Sequence, residues 1–137
     1  MIKNDASLPG LADEPAIAGD VRGRKVLLAE DHPLLRPMLC EAMEYVGYDV
    51  DVAIDGNEAE ARGLLVQPDV MVMDIDLPGR RGDDVARLLR ESWKVDVPVV
   101  FITGNLDFAS PDWPGVRLLR KPFDIETLIE AIGELLD

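Results

Sequence analysis

Val70-Met71-Val72-Met73-Asp74-Ile75-Asp76-Leu77-Pro78-Gly79 opens on four apolar residues, closes on a Pro-Gly turn and carries two carboxylates between them. An unbroken apolar run of that length, separated by Pro68 from a helical pattern over residues 58–66, is the pattern of a short strand covered on both faces. The chain repeats the arrangement on either side. Val26 to Ala29 is a short buried strand, and Val97 to Ile102 is another, with Pro98 only at its entry, where a missing amide does least harm. Val116 to Leu119 is a fifth run, while Val50, Val52 and Ile54 alternate with polar or small residues as in a strand.

Amphipathic stretches lie between these runs. His32 and Pro33 open a helix in which Leu34, Leu35, Met38, Leu39, Ala42, Met43 and Val46 recur at helical spacing until Gly47 stops it. Asp55-Gly56-Asn57 turns into the helix at 58–66. Val85, Leu88 and Leu89 carry a third helix ending near Trp93, and Ile125, Leu128, Ile129, Ile132, Leu135 and Leu136 carry a closing one capped by Asp124. Strands alternating with helices mean βα units around a parallel sheet, an α/β fold. The fourth crossover breaks the rhythm: residues 104–115 contain Gly104, Asn105, Ser110, Pro111, Pro114 and Gly115, a composition for an irregular loop or about one helical turn. Residues 1–23, with Pro9, Gly10, Pro15, Gly19 and Gly23 and no sustained period, are expected to be a mobile leader ahead of a domain at 24–137.

At 137 residues the chain is one domain with one expected site. Twenty-seven acids against 14 Lys and Arg give a formal net charge of -13, which repels phosphate backbones and anionic lipid. Nucleic-acid and membrane binding are therefore not expected, and Trp93 and Trp113 are assigned to packing rather than base stacking. Proteins and metal cations are the expected partners. No apolar run reaches the length of a membrane span, and Cys40, the one cysteine, is a small helix residue with no partner for an intramolecular disulfide; both fit a cytoplasmic protein.

The chemistry lies in the polar residues at the end of each apolar run: Glu30 and Asp31 after the first, Asp74 after the third, Thr103 after the fourth, Arg120 and Lys121 after the fifth. The carboxyl ends of the strands of an open parallel sheet share one edge, and ligands bind there. Three carboxylates gathered on that edge raise each other's pKa values and call for a cation. Hard oxygen donors without His or Cys favour Mg2+, with Mn2+ as the alternative. Lys121 and Thr103 suit phosphoryl oxygens, so the set reads as a phosphoryl-transfer site with an aspartate as covalent acceptor. His32 is expected to be a loop or cap residue, and Arg80-Arg81 a solvated turn beside the site.

Leu28-Ala29-Glu30-Asp31-His32-Pro33, Val72-Met73-Asp74-Ile75-Asp76-Leu77-Pro78-Gly79, Thr103-Gly104 and Lys121-Pro122-Phe123, in that order, resemble the signature regions of a response-regulator receiver domain, CheY-like, over residues 24–137. The resemblance implies a flavodoxin-like (βα)5 doubly wound sheet of strand order 2-1-3-4-5, and phosphorylation of Asp74 by a phosphohistidine on a sensor histidine kinase or phosphotransfer protein. It implies Mg2+ on Asp31 and Asp74, on the Asp76 backbone carbonyl and, through water, on Glu30. Thr103 and Lys121 would bind the phosphoryl oxygens, and the Lys121-Pro122 bond is expected cis.

Two departures stand out. The aromatic switch position three residues before the lysine holds Leu118, and the fourth crossover is broken by prolines. Both are similar to an atypical receiver subgroup nicknamed FATGUY, approached here by Phe101-Ile102-Thr103-Gly104 with Asn105 departing, in which ordering of 104–115 would replace the aromatic switch. The expected protein is a stand-alone receiver, monomeric or weakly dimeric, that catalyses only its own phosphorylation and dephosphorylation. It signals to another protein or drains phosphate from a relay. The competing readings are a non-switching docking scaffold and an aspartate-nucleophile phosphatase using Asp74-Ile75-Asp76.

Overall fold

Five short runs rich in Val, Leu, Met and Ile form the sheet of the computed structural model, which describes residues 21–137. The strands are β1 (Lys25–Ala29), β2 (Asp49–Ala53), β3 (Val70–Asp74), β4 (Val99–Thr103) and β5 (Val116–Arg120), and the helices α1 (Leu35–Val46), α2 (Gly56–Leu65), α3 (Gly82–Trp93) and α4 (Ile125–Leu136). All pairings are parallel, in the order β2-β1-β3-β4-β5. This is the flavodoxin-like α/β architecture with four helices.

Every residue of β3 and β4 is buried, which is why those strands read as continuous apolar runs rather than alternating ones. On one face Leu27, Met71, Met73 and Phe101 pack with Val85 and Leu89 of α3 and Ala59 of α2. On the other, Val26, Leu28, Val72 and Ile102 pack with Leu39 and Met43 of α1 and Leu128 and Ile132 of α4. Val21 and Tyr48 close the second core at its edge, so residues 21–23 lie against the domain; the remainder of the expected leader falls outside the described residues.

Several boundaries differ from the periodic reading for local reasons. Helix α1 starts at Leu35 rather than at His32-Pro33, because the His32 imidazole Nδ1 accepts from the amides of Leu34 (3.1 Å) and Leu35 (3.2 Å) and caps the first turn from outside it. Gly47 ends α1 at φ 118°, a left-handed position suited to glycine. Strand β2 stops at Ala53, leaving Ile54 exposed rather than in the ladder. Helix α2 begins two residues before the expected start, as the Asp55 carboxylate accepts from the Glu58 amide (2.7 Å) while the Glu58 carboxylate accepts from the Ile54 amide (2.8 Å). Asp124 occupies the cap position of α4, but its side chain makes no cap bond.

The fourth crossover forms no helix. Its aromatic residues do the covering instead: Phe108 and Trp113 meet the buried Phe101 ring edge-on at 6.2 and 5.9 Å. Two arginines fasten the loop. Arg120 donates to the carbonyls of Asn105 (2.7 Å) and Phe108 (2.8 Å), while Arg90 donates to the carbonyls of Val97 (3.0 Å) and Pro114 and lies over the Trp113 ring.

Candidate functional site

The parallel register brings the C-terminal ends of β1, β3, β4 and β5 to one edge, as Ala29 pairs with Met73, Asp74 with Ile102 and Thr103 with Arg120. The last residue of each strand, or the one just after it, therefore meets its neighbours there. Glu30 is fully buried, Asp74 is 2% exposed, Thr103 is fully buried and Asp31 is exposed. Carboxylate oxygens of Glu30, Asp31 and Asp74 lie within 4.8 Å of one another. Lys121 comes in from the end of β5 and places its Nζ 3.0 Å from Asp74 Oδ2 and 3.1 Å from Glu30 Oε1.

The hydrogen bonds around these groups are unevenly supplied. The Asp76 amide donates to Asp74 Oδ1 at 2.9 Å, and the His32 amide donates to Glu30 Oε2 at 3.0 Å. Glu30 Oε1 has no hydrogen-bond partner although it is buried: the lysine is near enough to attract it but does not meet it along a bonding direction. Burial pushes the Glu30 carboxyl up from its usual range, and the Asp74 charge adds to this against the His32 amide and Lys121. For Lys121, burial works against the ammonium, but its contacts with Asp74 and Glu30 outweigh burial and raise its pKa.

One ammonium among three carboxylates leaves an excess of negative charge, and the unsatisfied Glu30 oxygen lies in the same group. An all-oxygen set of this kind fits a hard divalent cation such as Mg2+. Glu30, Asp31 and Asp74 are the residues that would hold it. The Asp76 carboxylate stands apart from that group, and its Oδ2 accepts from the Thr103 hydroxyl at 3.0 Å.

Around this centre lie the remaining expected residues. The Lys121-Pro122 peptide bond is cis. Leu118 is half-buried and, like Phe108 and Trp113, packs against the core. Arg80 pairs with Glu60, and Arg81 with Asp83 at 3.1 Å, so the basic turn meets acids of its own chain. Cys40 lies on α1 with its thiol pKa raised by burial and then by the Glu44 charge.

Three contributors escaped the sequence reading. The Thr103–Asp76 bond links residues 27 apart through loop geometry, for which no local pattern exists. Arg36 donates to the backbone carbonyls of Glu30 (3.3 Å) and Asp31 (3.1 Å) and fixes the turn that presents both acids; a basic residue in a first helical turn gives no such signal. Gly82 packs its α-carbon against the Asp74 backbone so closely that a Cβ there would sit 2.0 Å from the Asp74 carbonyl oxygen. A Gly opening a helix after a loop was the available clue.

Comparison with known proteins bears on this geometry. The transcriptional regulatory protein TrcR of Mycobacterium tuberculosis is 39% identical over 116 residues, 82% of this chain and 45% of its own length. The transcriptional regulatory protein PdtaR of the same species is 38% identical over 114 residues, 80% of this chain and 55% of its own. The chain thus spans about half the length of these curated relatives. Among solved structures, a response regulator receiver protein from Sinorhizobium medicae superposes with a TM-score of 0.76 at 30% identity, covering 85% of this chain and 97% of that one. The response regulator protein TrrA of Thermotoga maritima, solved in complex with Mg(2+)-BeF, superposes with a TM-score of 0.74 at 29% identity over 82% of this chain and 99% of that one. The family described as the response regulator receiver domain matches residues 26–133, and the chain belongs to that family of two-component signalling proteins.

Proposed function

We propose that this receiver accepts a phosphoryl group on Asp74 from a phosphohistidine of a sensor kinase or phosphotransfer protein. The observation that carries the reading is Asp74 itself: a buried carboxylate at the end of the central strand, 3.0 Å from Lys121 and grouped with Glu30 and Asp31. An Asp74 carboxylate oxygen forms the new O–P bond as the N–P bond of the donor breaks, and that bond's electron pair returns to the donor imidazole. Lys121 offsets charge on the phosphoryl oxygens, and the Thr103 hydroxyl is the nearby neutral donor. Glu30, Asp31 and Asp74 would hold a Mg2+, which would supply further neutralisation of the phosphoryl charge. The chain's chemistry is its own phosphorylation and dephosphorylation, and its partners beyond the kinase are proteins. We place it in the cytoplasm; among the described residues no helix is long and apolar enough to cross a membrane.

Intact-mass measurement after incubation with acetyl phosphate and Mg2+ tests the reading. One phosphoryl adduct on the wild-type chain, absent from Asp74→Asn and suppressed by chelator, is the expected result. No adduct on either chain would refute it and favour the docking-scaffold reading, to which Leu118 in place of an aromatic lends its one observation. Turnover of an external phosphomonoester would favour the phosphatase reading; the Asp76 carboxylate, engaged by Thr103, lends that reading no support.

A further inference from the structure

The Thr103 hydroxyl has one proton and the structure shows where it goes. Oγ1 donates to Asp76 Oδ2 at 3.0 Å, and its oxygen accepts from the Asn105 amide at 2.9 Å. A hydroxyl that donates to Asp76 cannot at the same time donate to an oxygen on Asp74. Thr103 is fully buried on β4, with its backbone carbonyl accepting from the Lys121 amide at 2.8 Å, so its main chain is held while its side chain chooses between partners.

The competing acceptor is charged. A hydroxyl–carboxylate bond is stronger than one between neutral groups, so it is a real obstacle to recruiting Thr103. Asp76 also stands two residues from Asp74, and its amide donates to Asp74 Oδ1 at 2.9 Å, which keeps the two side chains in one loop of fixed geometry.

Resting on the reading of Asp74 as phosphoryl acceptor, we propose that the Asp76 side chain is a latch on Thr103. It holds the hydroxyl in the unmodified chain, gives it up to the phosphoryl group, and thereby sets how readily the phosphorylated state forms. Asp76 acts through Thr103 and is a positioning residue. The Asn105 amide, bonded to the same hydroxyl, senses the exchange at the first turn of the 104–115 loop.

The test is a double-mutant cycle on fluoroberyllate binding in the presence of Mg2+, using wild type, Asp76→Ala, Thr103→Val and the double variant. Alanine leaves the residue-76 carbonyl in place, and valine keeps the shape of threonine without its hydroxyl. Losing the charged acceptor should tighten fluoroberyllate binding about tenfold where Thr103 is present, the size of one hydrogen bond to a charged group. In the Thr103→Val background the gain should shrink to the small effect of removing a nearby negative charge. The Asn105 amide resonance of ligand-free Asp76→Ala should also move toward its position in the fluoroberyllate-bound wild type. Equal tightening in both backgrounds would overturn the latch and leave a purely electrostatic role for Asp76. Absence of fluoroberyllate binding by the folded wild type would instead remove the phosphoacceptor reading, and the latch with it. Thermal unfolding of each variant separates loss of fold from loss of binding.

Discussion

Arg90→Met tests how the helix-free crossover is held in place. Arg90 is 7% exposed; its Nε donates to the Val97 carbonyl at 3.0 Å, its Nη2 donates to the Pro114 carbonyl, and its guanidinium lies 5.4 Å from the centre of the Trp113 ring. Methionine keeps the aliphatic stem and removes all three contacts. Val97 is buried, so its carbonyl is left without a partner, at a cost of about 2 kcal/mol. Pro114 is exposed and its carbonyl can be rehydrated, so that loss is about 0.5 kcal/mol. The cation over Trp113 contributes about 1 kcal/mol. Against these losses, methionine avoids the desolvation of a buried guanidinium, which recovers about 1 kcal/mol and leaves a net loss of about 2.5 kcal/mol. For a domain of this size each kcal/mol lowers Tm by about 4 °C, so thermal unfolding monitored by circular dichroism should show a fall of about 10 °C. Arg87→Met is the comparison. Arg87 lies over the same ring at 5.5 Å, but its side chain is 51% exposed and its other partner is Asp84 at the surface, so its loss should stay within about 3 °C. Amide exchange should speed up across 104–115 in Arg90→Met and hardly change in Arg87→Met. If Arg90→Met cost no more than Arg87→Met, the loop would not depend on the buried guanidinium and the reasoning would fail.

Gly82→Ala forces a Cβ against the Asp74 carbonyl oxygen, so it should destabilise by about 3 kcal/mol and slow phosphorylation by acetyl phosphate even well below its Tm. Gly133→Ala, which meets nothing within 4 Å inside α4, should instead raise Tm by about 3 °C through helix propensity, as read in the same thermal scans. Asp55→Ala removes the acceptor for the Glu58 amide and should cost about 1 kcal/mol in urea unfolding, whereas Asp124→Ala, lacking a side-chain cap bond, should cost less. Because burial and Glu44 raise the Cys40 thiol, its alkylation by iodoacetamide at pH 8 should be slower than that of free cysteine and keep rising at pH values where the free thiol has levelled off. Stability carries the same sign: the folded thiol keeps its proton where the unfolded one, near about 8.5, has lost it, so Cys40's contribution falls as pH rises above that value.

Burial decided how much of the fold and site could be read from residues alone. Strands β3 and β4 are covered on both faces, so their apolar runs and the polar residues ending them were plain, and Asp74 and Thr103 came with them. The end of β2 was not, because Ile54 continues the alternation after the chain has left the ladder, and period alone carries no trace of where pairing stops. Asp55 and Asp124 look alike as helix caps, yet only the Asp55 carboxylate meets a donor, the Glu58 amide three residues on. The site's charged members were legible from strand ends. The bond that places Thr103 was not, since it depends on how two loops meet across the sheet edge.

Arg120 and Lys121 show how that edge is tied to the crossover. Arg120 is the last residue of β5 and Lys121 the first beyond it, and the two basic side chains serve two places. Lys121 reaches Asp74 and Glu30, while Arg120 takes the carbonyls of Asn105 and Phe108. The Lys121 amide bonds the Thr103 carbonyl, and the Thr103 hydroxyl takes the Asn105 amide, which closes a ring of bonds from the site to the loop and back. A displacement of Thr103 must therefore lengthen a bond to Lys121, to Asp76 or to Asn105. The last of these opens onto a segment that is also anchored by Arg120, by Arg90 and by the Phe108 and Trp113 rings against Phe101. With Leu118 lacking a ring to turn and no helix between β4 and β5 to shift, this bonded path is one connection between the acidic edge and the 104–115 loop.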